Sequence, residues 1–266
     1  MTLPPTVHRL ANATVRRAVG AAGRLMLRSR GADLARHSVI LAEATYSPWL
    51  SDQPFQEVYS AVRDDTLVGV QRCYELWHLV GQVKHLDGDI IEVGVWRGGT
   101  GALLAMRSQL EELGATTYLC DTFRGVVKAG PQDTSYTGGE HSDADRAMVD
   151  RLIASLHLKD VEILAGVFPE ETAHLIPADR RFRLCHVDVD VYRSARDVLD
   201  WVWPRLVPGG LVVFDDYGFA ECEGVTTLVN EEAQKPDRIL IHNLNGHGIM
   251  IKVPVTDGPS RSIEGQ

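Results

Sequence analysis

Cysteine is scarce in this chain, and the four present (Cys73, Cys120, Cys185 and Cys222) stand apart. No C-x-x-C pair and no zinc-like spacing joins them, which argues against a cysteine-based metal centre. Cys120 and Cys185 fall inside apolar runs and read as small buried hydrophobes. This usage fits a reducing cytoplasm, the expected location. No apolar run approaches the roughly 20 residues needed to cross a bilayer, so no membrane partner is expected. Excess basic charge is missing too: 27 Lys and Arg against 36 Asp and Glu give a net charge of −9. A nucleic-acid-binding body would present basic faces instead. Repeats and low-complexity tracts are absent.

Acids are missing from residues 1–31, where Arg9, Arg16, Arg17, Arg24, Arg28 and Arg30 lie. The stretch 1–40 is expected to be a basic arm that packs on an acidic body or a partner subunit. A transit peptide and a basic membrane-surface helix are the alternatives. With 44% hydrophobic and 24% charged residues, the 266-residue chain has material for one α/β domain with elaborations. That domain is expected over 41–256, with a lid segment at about 41–66, a lid loop at about 124–145 and a tail at 257–266. The loop stretch lacks periodicity and is rich in Gly, Asp, Ser and Thr.

Leu67, Val70, Tyr74, Trp77 and Val80 recur at helical spacing and stop before the turn signal Asp87-Gly88. Strands are then predicted at 89–95, 117–121, 161–165, 183–188 and 211–215, with helical stretches between most of them. Strands at 239–242 and 248–253, separated by Asn245-Gly246, close the pattern. Such alternation implies a parallel sheet with right-handed crossovers, and the short final turn makes the last strand antiparallel. The predicted class is α/β: the class I, Rossmann-like methyltransferase fold, a mostly parallel seven-stranded sheet with a terminal antiparallel hairpin.

The first strand runs into Glu92-Val93-Gly94-Val95-Trp96-Arg97-Gly98-Gly99-Thr100. A dinucleotide fingerprint needs glycine two residues after the first, where backbone approaches a pyrophosphate. Trp96 fills that place, which disfavours a nicotinamide oxidoreductase. S-adenosyl-L-methionine (SAM) meets the condition, bringing an amino-acid end and a sulfonium. Glu92 suits its ammonium, and the helix start suits its carboxylate. A branch at Gly94 is expected to fill the approach to that amino-acid end. Asp121, ending the second strand, offers two acceptor oxygens to a ribose diol, and Phe123 a surface for adenine. Arg97, Gly98, Thr122 and Ser142 complete the expected cofactor set.

Paired carboxylates end two further strands: Asp188 and Asp190 in one, Asp215 and Asp216 in the other. Strand alternation projects Asp188 and Asp190 from one face, and neighbouring parallel strands would gather all four acids at the ligand-binding rim. Four close anions imply a hard cation such as Mg²⁺. Asp188, Asp215 and Asp216 are assigned to the metal and Asp190 to the base, with Asp188 and Asp190 interchangeable. Asp190 as a helix cap and Asp216 as a turn residue are the structural alternatives. His186 reads as a core histidine, and Tyr46 and His141 as substrate contacts from irregular segments.

The stretches 92–100, 121–125 (Asp-Thr-Phe-Arg-Gly), 186–194 (His-Val-Asp-Val-Asp-Val-Tyr-Arg-Ser) and 214–218 (Phe-Asp-Asp-Tyr-Gly) together resemble the macrocin O-methyltransferase family, over roughly 40–253. The resemblance implies SAM, Mg²⁺, a deoxysugar hydroxyl on a natural-product glycoside, and homodimers or larger assemblies. By motif match it puts Asp188, Asp215 and Asp216 at metal positions and Asp190 at the base. At Arg124-Gly125-Val126-Val127 the chain departs from the acid and proline-containing stretch common in that family. A phenol or catechol O-methyltransferase and a metal-dependent hydrolase are the competing expectations.

Overall fold

The computed structural model describes residues 5–42 and 44–255, with side chains from residue 14 onward. The expected tail at 257–266 lies outside the described residues. The chain divides into two units, Met1–Pro48 and Trp49–Gln266. In the first, helix α1 (Pro5–Ser29) has no acid in its first turn and Arg28 in its last, a charge order that suits the helix dipole at its C-terminal end. Among the described residues, no helix is long and apolar enough to cross a membrane.

The second unit is built on a seven-stranded sheet: β1 (Asp89–Val93), β2 (Thr117–Asp121), β3 (Val161–Ala165), β4 (Phe182–Val187), β5 (Leu206–Phe214), β6 (Arg238–His242) and β7 (Gly248–Lys252). Their order is β3-β2-β1-β4-β5-β7-β6. The first five strands are parallel, and β7 runs antiparallel to both β5 and β6. This is the predicted class I arrangement.

Alternation along the buried strands divides the core between the two faces. Ile90, Leu184, Leu211, Val213 and Ile249 pack with α2 (Gln53–Val62), α3 (Val70–Gln82) and α4 (Gly99–Leu110). Ile91, Val93, Cys185, Val187, Val212 and Phe214 face the opposite way, toward α6 (Tyr192–Val202) and α7 (Glu223–Glu232). On α6, Ala195, Val198, Leu199 and Val202 form the buried stripe. The remaining helix, α5 (Arg146–Ser155), is capped by Asp145, whose side chain accepts from Met148 N–H. All four cysteines are buried and free, as expected of Cys120 and Cys185.

Gly94 and Gly99, at the two ends of the glycine turn, both make close backbone approaches. A Cβ on Gly99 would meet the Val62 and Asp65 carbonyl oxygens at 2.8 and 2.7 Å, so this glycine lets α4 sit against the end of α2. Gly94 has φ 90°, and a Cβ there would land on the Asp188 carbonyl oxygen. The missing side chain makes room for the backbone just past β4.

Candidate active site

Strand register assembles the site. Val93 is level with Cys120 on one side and Val187 on the other; Val187 is level with Phe214, and Phe214 with Gly248. One residue further, Asp121, Gly94, Asp188, Asp215 and His247 stand in a row across five strands. Hydrogen bonds carry the ladder into that row: Asp188 N–H to Val93 O at 2.9 Å, and Asp215 N–H to Val187 O at 3.0 Å. A period of two places this row on the same face as Glu92 and His186, the face covered by α3.

One ligand oxygen from each of Asp188, Asp215 and Asp216 lies within 4.8 Å of the others. Burial pushes the Asp188 and Asp216 carboxyls well above their usual range, and the neighbouring acids push them further. Three carboxyl groups this close offer the oxygen donors that a hard divalent cation takes. Asp216 is not a loose turn acid, since it is buried and its Oδ2 accepts the Asp190 N–H at 2.9 Å.

Asp215 differs from its neighbours. Burial opposes its charge, but His186, His247 and Arg72 outweigh that and hold the carboxyl far below the usual carboxylate range. Its Oδ2 pairs with Arg72 on α3. Its Oδ1 accepts from His247 Nε2 at 2.9 Å and lies 3.6 Å from His186 Nε2. The far nitrogens of both rings meet carboxylates: His186 Nδ1 bonds Glu92 Oε1 at 2.8 Å, and His247 Nδ1 bonds Glu75 on α3. Burial pulls the His186 pKa down, yet its contacts with Asp215 and Glu92 carry it up to about 10. His186 is a fully buried histidine, as expected, but its partners are acids. Arg72, Glu75 and His247 were missed by sequence reasoning, because helix periodicity marks only the apolar stripe of α3 and nothing local marks His247 beyond the adjacent Asn245-Gly246 turn.

Asp190 lies beyond the end of β4, at φ 64°. Its position is therefore set by the turn, which corrects the alternation argument for pairing it with Asp188. Nor does it cap α6: Val191 holds the cap position, and Tyr192 N–H goes to Asp133 Oδ1 at 2.9 Å. Asp190 Oδ1 accepts the Tyr136 hydroxyl at 2.6 Å. Burial raises the Asp190 carboxyl, and Tyr136 and His141 offset part of that rise. Both residues come from the loop 122–145, which contains neither helix nor strand. Tyr136 has no sequence signal beyond membership of that stretch.

The loop is tied down along its length. Ser194 Oγ donates to Val127 O at 2.8 Å, and Lys128 pairs with Asp197 at 2.9 Å. Asp143 accepts from Trp96 Nε1 at 2.8 Å and Arg97 at 2.6 Å, with the Arg97 guanidinium 4.4 Å over the Trp96 ring. Trp96 and Arg97 thus hold the loop's end against the glycine turn. Ser142 and His141 are exposed there.

Asp121 holds the turn from the other side. Its Oδ2 accepts Val95 and Trp96 N–H at 2.7 and 2.8 Å, and Oδ1 accepts Phe123 N–H at 2.6 Å. Three of about four acceptor positions on the carboxylate are used, leaving room for one further donor where the diol reading supposed two. Thr122 Oγ1 donates to Gly125 O at 2.9 Å, and Phe123 packs beside Val95, Leu119 and Val149. Gly98, at φ 96°, caps α4, and its Cβ position is 3.0 Å from Val149. Glu92 is fully buried, and its Oε2 has no hydrogen-bond partner. Tyr46 belongs to the first unit and is 83% exposed.

A family model, macrocin-O-methyltransferase (TylF), matches residues 57–240. The chain is 32% identical over 171 residues to 8-demethyl-8-(2,3-dimethoxy-alpha-L-rhamnosyl)-tetracenomycin-C 4'-O-methyltransferase of Streptomyces olivaceus, covering 59% of this chain and 64% of the relative. It is 31% identical over 173 residues to mycinamicin III 3''-O-methyltransferase of Micromonospora griseorubida, covering 59% and 66%. These matches span just under two thirds of each relative's length. The solved O-methyltransferase NovP superposes with a TM-score of 0.63 at 25% identity, covering 71% of this chain and 83% of that one. With the family model matching well over half its length, the chain belongs to the macrocin O-methyltransferase (TylF) family.

Proposed function

We propose that the protein is a SAM- and Mg²⁺-dependent O-methyltransferase acting on a sugar hydroxyl of a glycosylated natural product. The observation that carries this reading is the row Asp121, Gly94, Asp188, Asp215, which joins the glycine turn to the acid cluster at the carboxyl end of the sheet, within the family match. Bound SAM would supply a methyl group on a sulfonium, a leaving group that departs as a neutral thioether. Glu92 Oε2, buried and unpartnered, offers its ammonium an acceptor, directly or through a water. Asp121 offers one ribose hydroxyl its remaining acceptor position.

Asp188, Asp215 and Asp216 would hold Mg²⁺, whose charge lowers the pKa of a hydroxyl beside it. Asp190 takes that hydroxyl's proton, and its raised pKa suits a group that must accept one. Tyr136 orients the Asp190 carboxylate through the 2.6 Å hydrogen bond. The loop 122–145, tied to α6 and to the glycine turn, excludes water from the reacting atoms. His141 is the substrate contact from the loop, and the assembly is a homodimer or larger.

Calorimetric titration with S-adenosylhomocysteine tests the cofactor part, and absence of binding at millimolar concentration overturns it. Methyl transfer from labelled SAM to glycosylated macrolides and aminocoumarins, against catechols, tests the acceptor. Transfer to catechols alone would replace the sugar reading with the phenol one.

A further inference from the structure

Beside the three-carboxylate cluster, the same sheet face carries a second donor set with different chemistry. One ligating atom from each of His186, His247 and Asp215 lies within 4.8 Å of the others, all three residues are buried, and both Nε2 atoms face Asp215 Oδ1. His186 Nε2 has no hydrogen-bond partner although the side chain is fully buried. Its nearest acceptor, Asp215 Oδ1, stands 3.6 Å away, too far for a good hydrogen bond and close enough for both atoms to reach one ion.

The geometry points to a binding site for a borderline divalent transition metal, such as Zn²⁺, on His186, His247 and Asp215. Ligands about 2.1 Å from a tetrahedral ion stand about 3.4 Å apart. The observed separations from Asp215 Oδ1 are 3.6 Å to His186 Nε2 and 2.9 Å to His247 Nε2, which bracket that value. Each imidazole is held from behind by a carboxylate on Nδ1, Glu92 for His186 and Glu75 for His247. That is the usual outer support of a metal-bound histidine, fixing both tautomer and ring direction. Asp215 turns Oδ2 to Arg72, leaving Oδ1 as the oxygen between the two rings.

Two imidazoles and a carboxylate suit zinc-like ions, whereas Mg²⁺ prefers oxygen donors. Both imidazoles would ligate through a deprotonated Nε2, so binding releases to solvent any proton that either Nε2 holds. Because Asp215 belongs to both sets, an ion on the histidines competes with one on the carboxylates. The histidine site itself rests on its own residues and does not depend on the methyl-transfer reading.

The test uses the full chain stripped with chelator and loaded with Zn²⁺ or Co²⁺. X-ray absorption at the zinc edge is expected to count two imidazole nitrogens, and Co²⁺ to give intense visible bands of a low-coordinate site. Those bands should survive Asp188→Asn and disappear in His247→Gln. Glu75→Gln, which keeps all three ligands, should weaken Zn²⁺ affinity about 10–100-fold. An all-oxygen shell, bands lost in Asp188→Asn but kept in His247→Gln, or no binding at micromolar ion, would overturn the proposal. Should His247→Gln fail to fold, the absorption count on the unmodified protein decides alone. Measured S-adenosylhomocysteine affinity of the same sample separates failure here from failure of the methyltransferase reading.

Discussion

Asp121→Asn separates two roles for one carboxylate. The side chain accepts three backbone N–H groups, from Val95, Trp96 and Phe123. Asparagine keeps a single acceptor oxygen. Placed to hold Val95 and Trp96, it turns its NH₂ toward the Phe123 N–H, donor against donor. Losing one charge-assisted hydrogen bond costs about 1.5–3 kcal/mol. The two that remain weaken as well, because a neutral acceptor binds roughly half as strongly as a carboxylate. The sum is about 3–6 kcal/mol for the protein without any ligand. At about 2–4 °C per kcal/mol for a unit of this size, the melting temperature should fall by at least about 6 °C.

Thermal unfolding followed by circular dichroism measures this directly, with S-adenosylhomocysteine affinity measured on the same sample. A ribose-binding role alone predicts an unchanged melting temperature and weaker ligand binding. That pair of results would refute the argument that Asp121 primarily holds the glycine turn. Asp121→Ala, with no acceptor at all, should lose more stability than Asp121→Asn.

Tyr136→Phe removes the hydrogen bond to Asp190 and should lower single-turnover methyl transfer about 5–30-fold, for about 1–2 kcal/mol; S-adenosylhomocysteine affinity should be unchanged, and an unaltered rate would remove Tyr136 from the site. Asp215→Asn removes the buried counter-ion of Arg72 and leaves one neutral acceptor oxygen where Arg72 and His247 now have two, so denaturant unfolding should show a loss of about 3–5 kcal/mol along with any loss of activity. Gly94→Ala forces a side chain into a left-handed conformation against the Asp188 backbone, and should cost more than about 2 kcal/mol in the same assay. Adding Mg²⁺ at about 100 times its dissociation constant should stabilise the chelated protein by about 2.7 kcal/mol, through binding to the folded state. A melting temperature indifferent to millimolar Mg²⁺ would count against the oxygen cluster as its site.

The strands were legible because short apolar runs such as Asp89–Val93 and Phe182–Val187 are bounded by turn residues, and their alternation with helices restricts the topology. The start of β5 was not. It begins at Leu206, five residues earlier than apolar character suggests, and passes through Pro208, Gly209 and Gly210. A register shift between Phe182 and Leu184 accompanies that stretch, an irregularity that composition does not mark. Within the site, Glu92, Asp188, Asp215 and Asp216 stood out because acids at the ends of apolar strands are conspicuous. Their partners did not. Tyr136 sits in an aperiodic loop, and Arg72 and Glu75 look like the solvent face of an amphipathic helix.

His247 shows most clearly why. Nothing near it in sequence is catalytic in character, and it comes 32 residues after Asp215. The antiparallel pairing of β7 with β5 sets Phe214 opposite Gly248, so stepping forward along β5 is stepping backward along β7. Residue 215 therefore meets residue 247, whichever side chains they carry. The same register aligns Ile249 with Val213, so a slip of one residue would take Ile249 and Ile251 off the face covered by α3. Burial of those two isoleucines thus fixes which side chain reaches Asp215. The apolar side of β7 and the polar surroundings of the acid cluster are consequences of one pairing.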